Sequence, residues 1–154
     1  MSFTPCPSHS HALCADENKK LGRGGQADVY IGKWKGSTVA VKRVRENTQA
    51  VRREVRALTR VRHPNVVRLY GACMDPPRPC LVMAYAEGGT LQEAVDAGRV
   101  DSNSEHLRVL VGIARGMEAV HAQKLVHLDL KPGVVMSPKR PPCLKALSAV
   151  PLPL

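Results

Sequence analysis

Leu21-Gly22-Arg23-Gly24-Gly25-Gln26-Ala27-Asp28-Val29-Tyr30, followed at a short distance by Val39-Ala40-Val41-Lys42, is the stretch on which the reading of this chain turns. Glycines in a turn let backbone amides approach anionic oxygens without side-chain clash, and concave nests of such amides favour anions. By itself the motif is weak, because surface turns also collect glycines. The residues just C-terminal to it decide between readings. A dinucleotide-binding fingerprint needs a helix straight after its glycines, whereas here the alternating runs Val29-Tyr30-Ile31 and Thr38-Val39-Ala40-Val41-Lys42 predict two strands joined by a turn at Lys35-Gly36-Ser37. The result is a glycine-led hairpin that ends on a lysine.

Working outward, residues 48–62 switch to helical spacing, with Val51, Val55, Leu58 and Val61 three or four apart. Glu54 on that helix is the natural acidic partner for Lys42. Taken singly, Lys42 reads as a surface lysine at a strand end and Glu54 as a solvated helix carboxylate; taken with the glycine hairpin upstream, a paired phosphate-binding lysine is the better reading. His63-Pro64-Asn65 ends the helix, since proline disfavours helical backbone in the residue before it. Val66 to Tyr70 and Cys80 to Tyr85 predict two more strands, Glu87-Gly88-Gly89 a linker, and Thr90 to Ala97 a short helix. The longest helix is predicted from Ser102, where Ser102 and Glu105 make a capping-box pattern. Leu107, Leu110, Val111, Ala114, Met117, Val120 and His121 then share one face. That helix delivers His127-Leu128-Asp129-Leu130-Lys131-Pro132, a loop in which Asp129 is placed to accept a proton from a hydroxyl and Lys131 to steady a phosphate.

The order of these signals resembles a protein kinase, and specifically the tyrosine-kinase-like group of Ser/Thr kinases. His63-Pro64-Asn65-Val66-Val67-Arg68-Leu69-Tyr70-Gly71-Ala72-Cys73 and Leu81-Val82-Met83-Ala84-Tyr85-Ala86-Glu87-Gly88-Gly89-Thr90-Leu91 are similar to the transforming-growth-factor-β-activated kinase and its mixed-lineage relatives. The resemblance covers about residues 20–136. It implies an α+β fold with a small antiparallel-sheet lobe carrying one helix (19–83), a hinge (84–89) and the start of a helical second lobe (90–136). It also implies that residues 21–29 cover ATP, with Ala40 beside the nucleotide. Lys42 would meet the phosphates while paired to Glu54, and Met83 would stand behind the adenine as gatekeeper. The backbones of Ala84 and Ala86 would hold the base, His127 would support the catalytic loop, and Asp129 would be the base of a phosphoryl transfer from Mg-ATP to a protein Ser or Thr.

The resemblance also marks departures. Ala27 replaces the third glycine, Leu128 stands where many kinases have arginine, and Val134 stands where the family has the asparagine that holds magnesium. Val has no oxygen for a hard cation, so magnesium binding is in doubt. Cys143-Leu144-Lys145 would be the second strand of the hairpin that leads to Asp-Phe-Gly, but Leu147-Ser148-Ala149-Val150 comes next, and the resemblance ends in mid-hairpin. The expectation is a C-terminally truncated kinase domain, inactive alone, whose Pro-rich residues 137–154 come from a splice variant, a frame change or an incomplete gene model. The long helix would then lack the neighbours that cover its apolar face. A pseudokinase or dominant-negative interaction fragment is the alternative.

Composition sets the remaining bounds. The chain has 154 residues with a hydrophobic share of 44% and a charged share of 23%, ordinary for a globular domain. No apolar run approaches the ~20 residues that span a bilayer, and the N-terminus has no secretory pattern, so a cytoplasmic protein is expected. Cys6, Cys14, Cys73, Cys80 and Cys143 are odd in number and scattered, which argues against a disulfide framework. Residues 1–18 read as a flexible tail, in which Cys6, His9, His11 and Cys14 have no familiar zinc-finger spacing. The net charge of +10 opens a nucleic-acid reading. Its arginines (Arg43, Arg45, Arg52, Arg53, Arg56, Arg60, Arg62, Arg68) are spread over strand, helix and strand, and aromatics are only 3%, so stacking platforms are scarce and this reading ranks last. The partners implied are ATP and a protein substrate or signalling partner of unknown identity.

Overall fold

The computed structural model describes residues 13–23, 27–45, 49–74, 79–100, 102–137, 145–146 and 150–151. Gly24, Gly25 and Gln26 of the glycine turn, the zinc candidates Cys6, His9 and His11, and Cys143, Leu144 and Ser148 lie outside them. Contacts divide the chain into two units, 1–55 with 69–85 and 56–68 with 86–154.

The first unit is built on a five-stranded antiparallel sheet in the order β1-β2-β3-β5-β4. Its strands are β1 (Leu13–Arg23), β2 (Ala27–Trp34), β3 (Ser37–Val44), β4 (Leu69–Cys73) and β5 (Cys80–Ala84). β2 and β3 pair without a slip from Ala27↔Val44 to Trp34↔Ser37. The two-residue turn between them, Lys35 (φ 49°) and Gly36 (φ 79°), has the positive φ at both positions that a tight hairpin matching strand twist requires. β1 corrects the sequence reading. It begins at Leu13, so 13–18, assigned by composition to a flexible tail, belongs to the sheet. The run Asp16-Glu17-Asn18-Lys19-Lys20 is poor in strand formers, and β1 carries register shifts there, between Ala15 and Lys20 and between Lys20 and Gly22. The expected strand Val66–Tyr70 also moves: Val66 makes only an isolated bridge, and β4 runs from Leu69 to Cys73.

Residues opposite each other in a ladder share a face. One face carries Tyr30, Trp34, Val39, Val41, Val82, Cys80 and Cys73, and its core is Val39, Val41, Cys73, Cys80 and Val82 with Ala15 and Trp34 packed against them. The other face carries Ala27, Val29, Ala40, Lys42, Leu81 and Met83. Cys80 is a free thiol whose burial raises its pKa, whereas Cys73 is disulfide-bonded, against the expectation drawn from the scattered cysteines.

Helix α1 (Gln49–Arg60) belongs to the first unit through Val55 and to the second from Arg56. The predicted stripe is the buried one, with Val51, Val55, Leu58 and Val61 all in the core. In the second unit, α2 (Leu91–Asp96) and α3 (Asn103–His121) are followed by four short strands, β6 (Leu125–Val126), β7 (Val135–Met136), β8 (Lys145–Ala146) and β9 (Val150–Pro151). β6 pairs with β9 and β7 with β8, both antiparallel. The stretch assigned to a divergent tail thus supplies two strands that pair with the family-like part of the chain. Ala57, Val61, Val66, Val120 and Leu125 form one core cluster of this unit, and Leu91 and Val135 with Val100, Val109 and Ile113 another.

The face that α3 buries differs from the one its apolar spacing suggests. Val120 is buried and Met117 packs on the core, but Leu107 and Leu110 are 62% exposed and Val111 39%. Burial falls instead on Val109, Gly112, Ile113 and Gly116. Gly116 explains the choice. A Cβ there would lie 2.8 Å from the Asn65 carbonyl oxygen, so glycine lets this side of α3 approach the turn after α1 more closely than any side chain would allow. Leu107, Leu110 and Val111 thus form an exposed apolar stripe on α3.

Candidate nucleotide and phosphotransfer site

In the first unit, Lys42 leaves β3 on the face shared with Ala27, Val29, Ala40 and Met83. Its ammonium meets Glu54 Oε1 of α1 at 2.7 Å, with the two side chains only 20% and 15% exposed. The register explains why these residues gather: Val29 lies opposite Lys42, and Ala40 opposite Met83, which is fully buried. Branched and small side chains beside one fixed cation suit a ligand with an apolar part and an anionic part. The half-buried ion pair orients the lysine, at the cost of desolvating both ends.

Two of the expected nucleotide residues stand elsewhere. Asp28 and Arg23 are paired across β1 and β2 on the opposite face from Lys42. Asp28 engages Lys20 at 2.8 Å and Arg45 at 3.6 Å. The Lys20 hydrogen bond, with the charges of Lys20, Arg45 and Arg23, outweighs desolvation and holds its carboxyl below the ordinary carboxylate range. Strand alternation carries this information; a motif read as one block from Leu21 to Val29 does not. Leu21 is 41% exposed and Gly22 pairs with Val29. Ala84 closes the β5 ladder opposite Val39, and in the second unit the Ala86 carbonyl accepts from Gly89 N–H at 3.3 Å.

The second unit positions the loop after α3. His127 is 3% exposed, and burial pushes its imidazole below the ordinary 6.5, with the Asp129 carboxylate opposing. Leu128 turns the chain with φ 55°, and across it the Asp129 N–H donates to the His127 carbonyl at 2.7 Å. A leucine in left-handed backbone costs roughly 1–2 kcal/mol, so the turn that presents Asp129 is held against strain. Asp129 and Lys131 are both exposed, with Lys131 Nζ 2.9 Å from Asp129 Oδ1. The loop's far end is tied down by Gln92 N–H to the Pro132 carbonyl at 3.2 Å and Ser137 N–H to the Gly89 carbonyl at 2.8 Å. α2 is fixed in turn by a capping box of Thr90 and Glu93, present in the sequence but not read there.

Magnesium fits the described residues poorly. A hard cation of this size wants several oxygen ligands. Val134 offers a hydrocarbon, and no three His, Cys, Asp or Glu side chains gather among the described residues.

The chain belongs to the protein kinase domain family, whose profile matches residues 15–145. A probable serine/threonine-protein kinase of Dictyostelium discoideum is 35% identical over 122 residues, which is 74% of this chain and 13% of that protein. Mitogen-activated protein kinase kinase kinase 13-A of Xenopus laevis is 39% identical over 122 residues, covering 76% of this chain and 12% of its own length. Mitogen-activated protein kinase kinase kinase 11 of Homo sapiens is 40% identical over 124 residues, covering 72% and 14%. The chain therefore spans between 12% and 14% of the length of these relatives. The motif-based resemblance to tyrosine-kinase-like and mixed-lineage Ser/Thr kinases holds.

Proposed function

We propose that this chain is an ATP-binding segment of a Ser/Thr protein kinase, with residues 19–136 as its kinase part. In this reading Lys42, oriented by Glu54, neutralises the nucleotide phosphates, while Ala27, Val29, Ala40 and Met83 line the base and ribose. The backbones of Leu21, Gly22, Ala84 and Ala86 contribute polar contacts. When bound, ATP supplies the phosphoryl group. Asp129 takes the proton of an acceptor hydroxyl on a carboxylate oxygen, and Lys131 offsets charge on the transferred group. The observation that carries the reading is the 2.7 Å Lys42–Glu54 pair, formed between a strand end and a helix as the resemblance requires. A cytoplasmic setting goes with it: no described helix is long and apolar enough to cross a membrane. The Cys73 disulfide is uncommon for that compartment.

Val134 favours a second reading, nucleotide binding without turnover, as in a pseudokinase or a dominant-negative fragment that engages a signalling partner. One titration addresses both. ATP with and without magnesium is expected to raise the melting temperature of the wild-type chain and not that of Lys42→Met. Equal responses of the two proteins would falsify the phosphate-anchor role of Lys42. A shift that magnesium leaves unchanged, with no phosphate transfer to a generic protein acceptor, selects the non-catalytic reading. Transfer that disappears in Asp129→Asn selects the catalytic one.

A further inference from the structure

Between Arg56 and Arg68 the chain carries Arg56, Arg60, Arg62, His63 and Arg68 and no acidic residue. All four arginines are exposed. The segment folds around a groove of about 330 Å³ within the second unit, lined by Val61, Arg62, His63, Pro64, Val66 and Arg68 and by none of the residues assigned above to nucleotide or phosphotransfer. Val61 and Val66 are core residues that show only their edges to the groove, 5% and 4% exposed. The turn is fixed from within. Asn65 N–H donates to His63 Nδ1 at 3.2 Å, and Val66 N–H donates to the His63 carbonyl at 3.1 Å. With Nδ1 serving as acceptor, the imidazole proton sits on Nε2, which makes that nitrogen a donor.

We propose that this groove docks an acidic peptide segment of a partner protein, seating an aliphatic side chain against Pro64 and the exposed edges of Val61 and Val66, with a flanking carboxylate on the Arg62 guanidinium in the positive field that Arg60 and Arg68 extend. Three features select this occupant. The volume lies at the small end of ligand pockets and suits one or two side chains rather than a cofactor. Guanidinium groups recognise carboxylates through two parallel hydrogen bonds, which a bare positive field does not require. The lining has no aromatic ring, so a nucleic-acid strand would find phosphate partners but no surface on which to stack a base.

Fluorescence anisotropy on the full chain provides the test. The probe is a labelled Asp/Glu-rich peptide with one central leucine, compared with the same peptide carrying glycine there and with a single-stranded oligonucleotide of equal charge. Saturable binding of the leucine peptide is expected, weaker binding of the other two, and a loss of about tenfold or more in Arg62→Glu/Arg68→Glu. Arg62→Lys/Arg68→Lys keeps the charge but not the fork, and an intermediate loss is expected. Circular dichroism checks that each variant is folded; if the charge-reversed protein is not, Arg62→Gln/Arg68→Gln is judged by the same criterion. No saturable peptide binding, binding indifferent to the arginine substitutions, or an oligonucleotide bound as tightly as the leucine peptide each overturns the proposal.

Discussion

Lys42 and Asp28 lie one residue out of register on paired strands, and that single step sends their charges to opposite faces of the sheet. Lys42 and Glu54 are both sheltered, at 20% and 15% exposed, whereas Asp28, at 21%, engages partners nearer solvent, Lys20 at 37% and Arg45 at 48%. Pairs with one well-solvated partner contribute less to stability, so the first is the one with mechanistic weight. His127 is the other residue whose setting differs from its sequence context. Its buried imidazole favours the neutral form, so its folded pKa lies below that of the unfolded chain. Above about 6.5 both states are neutral and the group has no effect; as pH falls from there toward the folded value, the unfolded chain takes up the proton first and stability drops. Melting temperatures measured from pH 7.5 down to 5.5 are therefore expected to fall more steeply for the wild type than for His127→Gln. Parallel curves would remove the role assigned to burial. The motif showed that a histidine belongs here; its low exposure comes from packing that no local pattern encodes.

Among the elements, α3 and β1 mark where sequence reading succeeded and failed. Ser102 and Glu105 predicted the start of α3, and both halves of the box are present: Ser102 Oγ accepts from Glu105 N–H at 3.3 Å, and Glu105 Oε2 accepts from Ser102 N–H at 3.3 Å. Helix starts are legible because the capping residues sit within four positions of one another. Which face a helix buries is not local. α3 has apolar residues on two sides, and the Gly112–Gly116 side won because only glycine admits the Asn65 backbone. β1 was half hidden for a related reason: of the polar run from Asp16 to Lys20 only Lys20 has a ladder partner in β2, and the register shift between Ala15 and Lys20 accommodates the rest. Ser102→Ala removes the cap and is expected to cost about 1 kcal/mol, read as a melting-temperature drop of roughly 3 °C in a chain of this size. An unchanged melting temperature would mean that packing, rather than the cap, sets where α3 begins.

For the whole molecule, the kinase assignment was legible because several short motifs recur in one order. The exposed consequences of that fold were less so. Leu107, Leu110 and Val111 form an uncovered apolar stripe on α3 in a chain whose net charge is +10. Charge repulsion opposes association of like chains, while a contiguous apolar patch favours it; repulsion between exposed charges fades beyond about 8 Å at physiological salt, whereas apolar contact does not. The patch is therefore expected to dominate as salt rises, giving concentration-dependent self-association in sedimentation velocity. Leu107→Glu/Leu110→Glu and Leu107→Lys/Leu110→Lys separate the two forces, because both delete the stripe but shift net charge in opposite directions. Glu and Lys rank near Leu as helix formers, and the positions are exposed, so stability is expected to change by no more than about 0.5 kcal/mol per site. If both pairs abolish association at raised salt, the apolar stripe is its cause. If only the lysine pair does, repulsion governs, and the α3 surface is no more adhesive than the rest of the molecule.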